Sequence, residues 1–432
     1  MIEYDLIRHI PTISEGPVRI MGWVTHIRSS GKLIFIEVRD GTGVIQCVIF
    51  KGDVAEQIFD MAKGLTLESS LIVDGIIRRD SRSKMGYEIG VTHIEPIQIP
   101  SEEFPISTKE HGIAFLLEKR HLWLRSSRQV AILRVRAAII KAARDFLDNQ
   151  GFILFDTPIF TPAACEGTTT LFETRYFEEN VYLTQSGQLY NEAGAMALGR
   201  VYSFGPTFRA EKSKTRRHLT EFWMVEPEAA FFDLDMDMDL AQNLVMHIVK
   251  TVLEKNRAEL EVIERDIGQL EKVSLPFPRI SYDEAVKLLN ENTIPAAWGD
   301  DFGGDEETVI SRNFSSPVFI HRYPSASKAF YMKADPIRPE VALCCDMIAP
   351  EGYGEIIGGG QREDDYELLL GKLHAHGLNV EPFEWYLDLR KFGTVPHAGF
   401  GLGIERTVAW ICGLKHVRET IPFPRLMDRI RP

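Results

Sequence analysis

Cysteine is scarce: five in 432 residues, namely Cys47, Cys165, Cys344, Cys345 and Cys412, with no C-x-x-C pair. That excludes a thiolate zinc cluster and a dithiol redox motif, and the thiols are expected to be core residues in a reducing compartment. No run approaches the roughly 20 apolar residues of a membrane span. The opening Met1-Ile2-Glu3-Tyr4-Asp5 lacks the basic-then-apolar pattern of a signal peptide. The expected location is the cytoplasm, with no membrane partner. Repeats and low-complexity tracts are missing too. Positive charge is short, 49 Lys and Arg against 62 Asp and Glu, for a net charge of -13. That deficit argues against phosphate binding over the whole surface. Local patches escape the argument: Arg78, Arg79, Arg82 and Lys84; Lys119, Arg120, Arg125 and Arg128; Lys212, Lys214, Arg216 and Arg217. Any one of them is equally read as a solvated face.

What remains is an ordinary globular balance, 44% hydrophobic and 26% charged, long enough for two or three domains. The pattern over 1–100 is five short strands, at 18–28, 33–39, 43–50, 70–77 and 87–97, with a helix near 54–62 after the third. That order predicts an OB-fold β-barrel, a nucleic-acid-binding architecture. In the second strand Ile34, Ile36 and Val38 alternate with Leu33, Phe35 and Glu37. The β-branched set is expected inside the barrel, which turns Phe35 outward as a stacking platform for a base. Arg28 and Gln46 on the neighbouring strands are candidates to bond base edges or phosphate. Residues 101–126 read as a linker, with Pro100 to Pro105 at its start.

A long amphipathic helix near 127–147 follows, with Val130, Leu133, Ala137, Ile140 and Leu147 at helical spacing. Asn149-Gln150-Gly151 ends it. Strands are expected at 152–155, 181–183, 201–204, 222–227, 318–321 and 341–347. Residues 234–315 read as a helical and αβ insertion in a domain spanning 127–432.

Three segments carry chemistry. Phe208-Arg209-Ala210-Glu211 and Glu221-Phe222-Trp223 flank a basic loop containing Arg216, Arg217 and His218. Such a hairpin suits a nucleotide: Arg forks phosphate oxygens, a carboxylate accepts from the adenine amino group, an aromatic stacks on the ring. Near the C-terminus, Gly399, Gly401 and Gly403 precede Glu405-Arg406. This reads as a Gly-rich turn into a helix, and Arg406 is poorly placed for the helix dipole unless an anion lies nearby. Asp346 and Glu355, joined by a turn and followed by Gly358-Gly359-Gly360-Gln361-Arg362, make a reasonable Mg²⁺ site with ATP oxygens.

Taken together these elements resemble the class II aminoacyl-tRNA synthetases. The long helix running to Pro158, the Phe208 to Glu211 hairpin and Gly401 to Arg406 match the three motifs of that family in order. The barrel matches the anticodon-binding domain of its aspartate, asparagine and lysine subgroup. The resemblance covers essentially the whole chain. It implies an α+β protein, an OB-fold barrel ahead of an antiparallel catalytic sheet flanked by helices, and a homodimer through the first motif. It implies ATP as substrate, an aminoacyl-adenylate intermediate, Mg²⁺ and tRNA. By analogy Arg209 holds the α-phosphate, Glu211 and Phe222 hold adenine, and Arg217, His218 and Arg406 hold the β/γ end. Asp346 and Glu355 would bind Mg²⁺, with Arg209 and Arg406 catalytic and Gly403 lining the ATP site. Glu166 and Gln188 would contact the amino acid's ammonium and backbone.

For the amino acid itself, asparagine is expected over aspartate, and the tRNA is the one for asparagine. Aspartate enzymes of the subgroup carry a Lys where Gln185-Ser186-Gly187-Gln188 is followed here by neutral Asn191. They carry a shorter Asp where this chain has Glu226. Glu226 would accept from the carboxamide NH₂ and repel a carboxylate, while Arg362 donates to the side-chain oxygen in either case. The aspartate enzyme, a tRNA-independent amide ligase on the same fold and a non-catalytic RNA-binding regulator are the rival readings. The barrel argues against the second. The intact Arg209, Glu211, Asp346, Glu355 and Arg406 argue against the third.

Overall fold

The computed structural model describes residues 4–13, 15–83, 85–107, 109–162 and 170–432. They form two compact units, Met1–Leu117 and Glu118–Pro432.

The first unit is built on a closed barrel. Its strands are β1 (Gly16–Ser30), β2 (Leu33–Arg39), β3 (Val44–Phe50), β4 (Ser70–Arg79) and β5 (Tyr87–Gln98), in the order β1-β2-β3-β5-β4. The turn chemistry is local. Gly31 takes φ +60° between β1 and β2. Between β2 and β3 the Asp40 carboxylate accepts from the backbone N–H of Thr42 at 2.7 Å and of Gly43 at 2.9 Å. Alternation does the rest: Ile34, Ile36 and Val38, with Ile45, Cys47 and Ile49 of β3, fill the interior. A helix, Glu56–Ala62, follows β3 and puts Phe59 and Ala62 into the same core. The OB-fold expectation holds.

The second unit carries an eight-stranded sheet and a small three-stranded one. The large sheet contains β6 (Ile153–Leu154), β10 (Arg200–Phe208), β11 (Glu221–Ala230), β12 (Arg279–Ser281), β13 (Val318–His321), β14 (Cys344–Ala349), β15 (Gly354–Gln361) and β16 (His397–Gly403). The order is β12-β13-β14-β15-β16-β11-β10-β6. The small sheet contains β7 (Phe160–Thr161), β8 (Glu173–Tyr176) and β9 (Glu179–Leu183) in the order β7-β9-β8. The expected antiparallel sheet is therefore mixed. The run from β13 to β10 is antiparallel, and β12 and β6 add parallel at the two edges. The segment at 181–183 belongs to the small sheet.

One further correction concerns glycine. The Gly-rich segment expected as a turn is β16, a strand, and its last residue caps the helix Ile404–Cys412. The glycines at 358–360, for which no element was expected, sit within β15. Glycine is depleted in strands, so propensity hides a strand built from it.

The helix Ser127–Asn149 starts where the Ser126 side chain accepts from Gln129 N–H and ends before Gly151 at φ +79°. Its core stripe is Ile132, Val135, Ile139, Ala142, Ala143 and Leu147, packed with the helix Leu234–Lys255 against one face of the large sheet. Of the stripe read from sequence Leu147 is buried in that core and Ile140 packs half-buried against it; Val130 and Leu133 are half-buried and Ala137 is exposed.

Candidate active site

Strand register determines what the other face of the sheet presents. Directly paired residues share a face, and so do residues two apart along a strand. Gly399 pairs with Glu228 on β11 and Gly360 on β15; Gly401 pairs with Gly358, Gly403 with Met224, and Asp346 with Gly358. One face therefore carries Phe222, Met224, Glu226 and Glu228 of β11, a strip of glycines from β15 and β16, and Asp346. The opposite face buries Val225, Ala229, Ile357, Leu402 and Phe400 in the core. The glycines keep the floor flat. A Cβ on Gly399 would stand 2.2 Å from Glu228 Oε2 and 2.3 Å from the Pro227 carbonyl; one on Gly401 would stand 2.2 Å from Met224 Cε.

One end of this floor opens into a pocket of about 550 Å³ lined by Arg209, Arg217, His218, Phe222, Glu355, Gly403 and Arg406, among others. The structure thus brings together seven of the eight residues singled out for a nucleotide. Arg209 lies with its guanidinium carbon 5.4 Å from the Phe222 ring centroid. The eighth, Glu211, lines an adjoining cleft with Arg209 and His218. Its Oε2 is buried with no hydrogen-bond partner among the described residues. An adenine amino group would satisfy such an acceptor. Arg217 is already held, donating to Glu307 at 2.8 Å, Thr308 Oγ1 at 2.7 Å and the Gly352 carbonyl at 2.7 Å. Burial and the neighbouring Glu355 push the Glu307 carboxyl up to about 7. Burial, then Arg406 and Arg209, lower the His218 pKa below the ordinary imidazole value.

Asp346 and Glu355 converge above Gly358. A Cβ there would meet Glu355 Oε1 at 2.9 Å and Asp346 Oδ1 at 3.5 Å. Each carboxylate has a cation of its own. Arg406 Nη1 donates to Glu355 Oε2 at 3.1 Å and to its carbonyl at 3.0 Å. Lys328 Nζ donates to Asp346 Oδ2 at 2.9 Å. Burial works against the Lys328 ammonium, but Asp346, with Cys344 and Glu355, together more than offset it, so its pKa stands above the lysine norm. Hard oxygen donors converging on one point fit Mg²⁺.

The other end of the floor is lined by Glu226, Glu228 and Arg362. Arg362 donates to both oxygens of Glu228, Nε at 3.1 Å and Nη2 at 2.9 Å, with both side chains almost wholly buried. Glu226 accepts from Ser186 Oγ, from Gly187 N–H at 2.9 Å and from Ser203 Oγ at 3.2 Å; its Oε1 lies 3.9 Å from the would-be Gly401 Cβ. Gln188, at the start of the helix Gln188–Leu198, donates Nε2 to Glu192 at 3.1 Å. Asn191 is fully buried and donates to Ser203 Oγ and to the Glu226 carbonyl, both at 2.9 Å. Glu166 lies outside the described residues.

Sequence reading missed Glu228, Lys328 and the cluster around Glu192. Glu192 accepts from Tyr386 at 2.8 Å and Arg390 at 2.6 Å, and sits 2.9 Å from His397 Nε2. Burial opposes its charge, yet Arg390 and His397 hold its carboxyl well below the usual range. Glu228 had a signal, the period of two from Glu226; the others meet only in the fold. Glu405 proves to be a clamp, pairing with Arg136 of the long helix at 2.7 Å and accepting from Trp223 N–H at 3.0 Å.

On the barrel, Arg28 and Phe35 are cross-strand partners, the guanidinium carbon 4.3 Å from the ring centroid. Gln46 shares the outer face and donates to Glu88 at 3.1 Å.

Residues 113–427 match the family model for class II tRNA synthetases (D, K and N), and 18–97 match that for the OB-fold nucleic acid binding domain. The chain belongs to the class II tRNA synthetases. Within that class it is 60% identical over 427 residues to the asparagine–tRNA ligase of Desulforamulus reducens, covering 99% of each chain. It is 60% identical over 423 residues to that of Koribacter versatilis, covering 96% of each. The crystal structure of asparaginyl-tRNA synthetase from Pyrococcus horikoshii complexed with asparaginyl-adenylate superposes with TM-score 0.97 at 46% identity, over 100% of both chains.

Proposed function

We propose that this chain activates asparagine with ATP and transfers it to the 3′ end of the tRNA for asparagine. The asparagine carboxylate attacks the α-phosphorus, the bond to the bridging oxygen breaks, and pyrophosphate leaves. The terminal ribose hydroxyl then attacks the acyl carbon and AMP leaves. No side chain need become covalently attached; the work is alignment and charge stabilisation. Arg209 faces the α-phosphate, Phe222 and Glu211 hold adenine, and Arg217, His218 and Arg406 take the far phosphates, with Gly403 lining the site. Glu355, with Asp346 beside it, would hold Mg²⁺, and the ion would neutralise phosphate charge. Gln188 meets the amino acid's ammonium.

The observation that carries the choice of asparagine is the charge at the second end of the floor. Arg362 supplies one positive charge, Glu228 neutralises it through the paired hydrogen bonds, and Glu226 adds a further negative charge. A carboxamide can accept from Arg362 and donate to Glu226, whereas a carboxylate meets net repulsion. The test is amino-acid-dependent pyrophosphate exchange into ATP, asparagine against aspartate.

The chain works as a homodimer on this reading. Supporting it, β6 is an edge strand with Ile153 and Leu154 exposed by 48% and 39%. An apolar edge of that kind needs covering. On the barrel, Arg28, Phe35 and Gln46 read the anticodon. Among the described residues no helix is long and apolar enough to cross a membrane.

A further inference from the structure

Lys328 lies just past the short turn Ser325–Ser327, outside the segments that carry the family's motifs. Its ammonium is fixed from two sides. Nζ stands 3.8 Å from the centroid of the Tyr323 ring and donates to Asp346 Oδ2 at 2.9 Å, with lysine and aspartate side chains each only 18% exposed. Aromatic face and carboxylate together hold a cation more firmly than an exposed ion pair does. The other oxygen, Oδ1, is the one turned toward Glu355 over Gly358.

We propose that Lys328 is a built-in cation at the carboxylate pair: it occupies the place of one divalent ion, so that Glu355 carries most of the metal affinity and Asp346 little. The inference rests on the nucleotide-activating function proposed above. Its logic is competition for charge. An ion approaching Asp346 must either displace the ammonium or take Oδ1 of a carboxylate whose charge Lys328 already neutralises through Oδ2, which weakens its hold. Arg406 holds Glu355 differently, one nitrogen, Nη1, donating to both Oε2 and the backbone carbonyl, while Oε1 is the oxygen over Gly358. The fixed ammonium also places positive charge beside the phosphate end of the pocket without recruiting an ion from solution.

The experiment is a Mn²⁺ titration of the full-length protein with an α,β-methylene ATP analogue, free Mn²⁺ read by electron paramagnetic resonance. Lys328→Met is expected to bind one more Mn²⁺ per chain than wild type, and Lys328→Arg, which keeps the charge, to bind the wild-type number. In the wild-type background Asp346→Asn should weaken Mn²⁺ by less than about threefold and Glu355→Gln by more than about tenfold, a difference of the size that a lost charge-to-charge coupling produces. Equal ion numbers in wild type and Lys328→Met overturn the inference. Should Lys328→Met not fold, equal losses in Asp346→Asn and Glu355→Gln overturn it instead. Asparagine-dependent exchange is run on the same wild-type sample. Its absence removes the proposed function and this inference with it, whereas its presence with an unchanged ion count removes only the inference.

Discussion

At the scale of single residues, the nucleotide end was legible because its chemistry is contiguous in the chain. Arg209 and Glu211 lie within four residues, and Phe222 returns on the paired strand, so a hairpin alone brings them together. Arg390 was illegible for the converse reason, meeting Glu192 across a long stretch of chain, and Lys328 because it reaches Asp346 from a loop outside the sheet, where no strand pairing signals the contact. Glu226 was legible as a carboxylate near the amino acid, but its bonds to the Ser186 and Gly187 turn, which hold it in place, depend on tertiary contact. Arg209 should act chiefly on charge that develops at the α-phosphate. Arg209→Ala is expected to cost about 3 kcal/mol or more in the barrier to adenylate formation while leaving the far-ultraviolet circular dichroism unchanged. Near-normal pyrophosphate exchange in the variant would refute its role.

Among the elements, the barrel strands followed from turn residues and alternation, both local signals. The two glycine strands β15 and β16 did not, because their residues are chosen for what must lie above them and not for strand propensity. A smaller element carries a pH signature. The turn Val417–Glu419 is capped by His416, whose Nδ1 accepts from Arg418 N–H at 3.1 Å, a role open only to the neutral ring. Burial and then Arg418 push the His416 pKa down to about 4. An unfolded imidazole titrates near about 6.5, so this contribution to stability is complete above that pH and is lost as pH falls from there toward 4. Thermal unfolding of His416→Asn, which can still accept from Arg418, should fall less steeply than wild type across that window. Identical slopes would show that His416 is not the group titrating.

For the whole molecule, the resemblance placed both units, and the physical reading supplies what each must do separately. Phe35 belongs to the barrel unit, so Phe35→Ala should weaken tRNA aminoacylation, with a lost base stack costing about 1–3 kcal/mol, and leave adenylate formation untouched. Equal loss in both steps would make Phe35 a folding residue. The apolar edge at β6 predicts a dimer by light scattering at micromolar concentration; a fully active monomer would contradict it. The central claim is that the charge balance of Arg362, Glu228 and Glu226 selects a neutral carboxamide. Pyrophosphate exchange into ATP, run with asparagine and with aspartate on wild type and on Glu226→Gln, tests it most directly. The account predicts strong exchange with asparagine, almost none with aspartate, and a narrowed preference in the variant. Equal exchange with both amino acids in wild type, or a preference unmoved by Glu226→Gln, would contradict it.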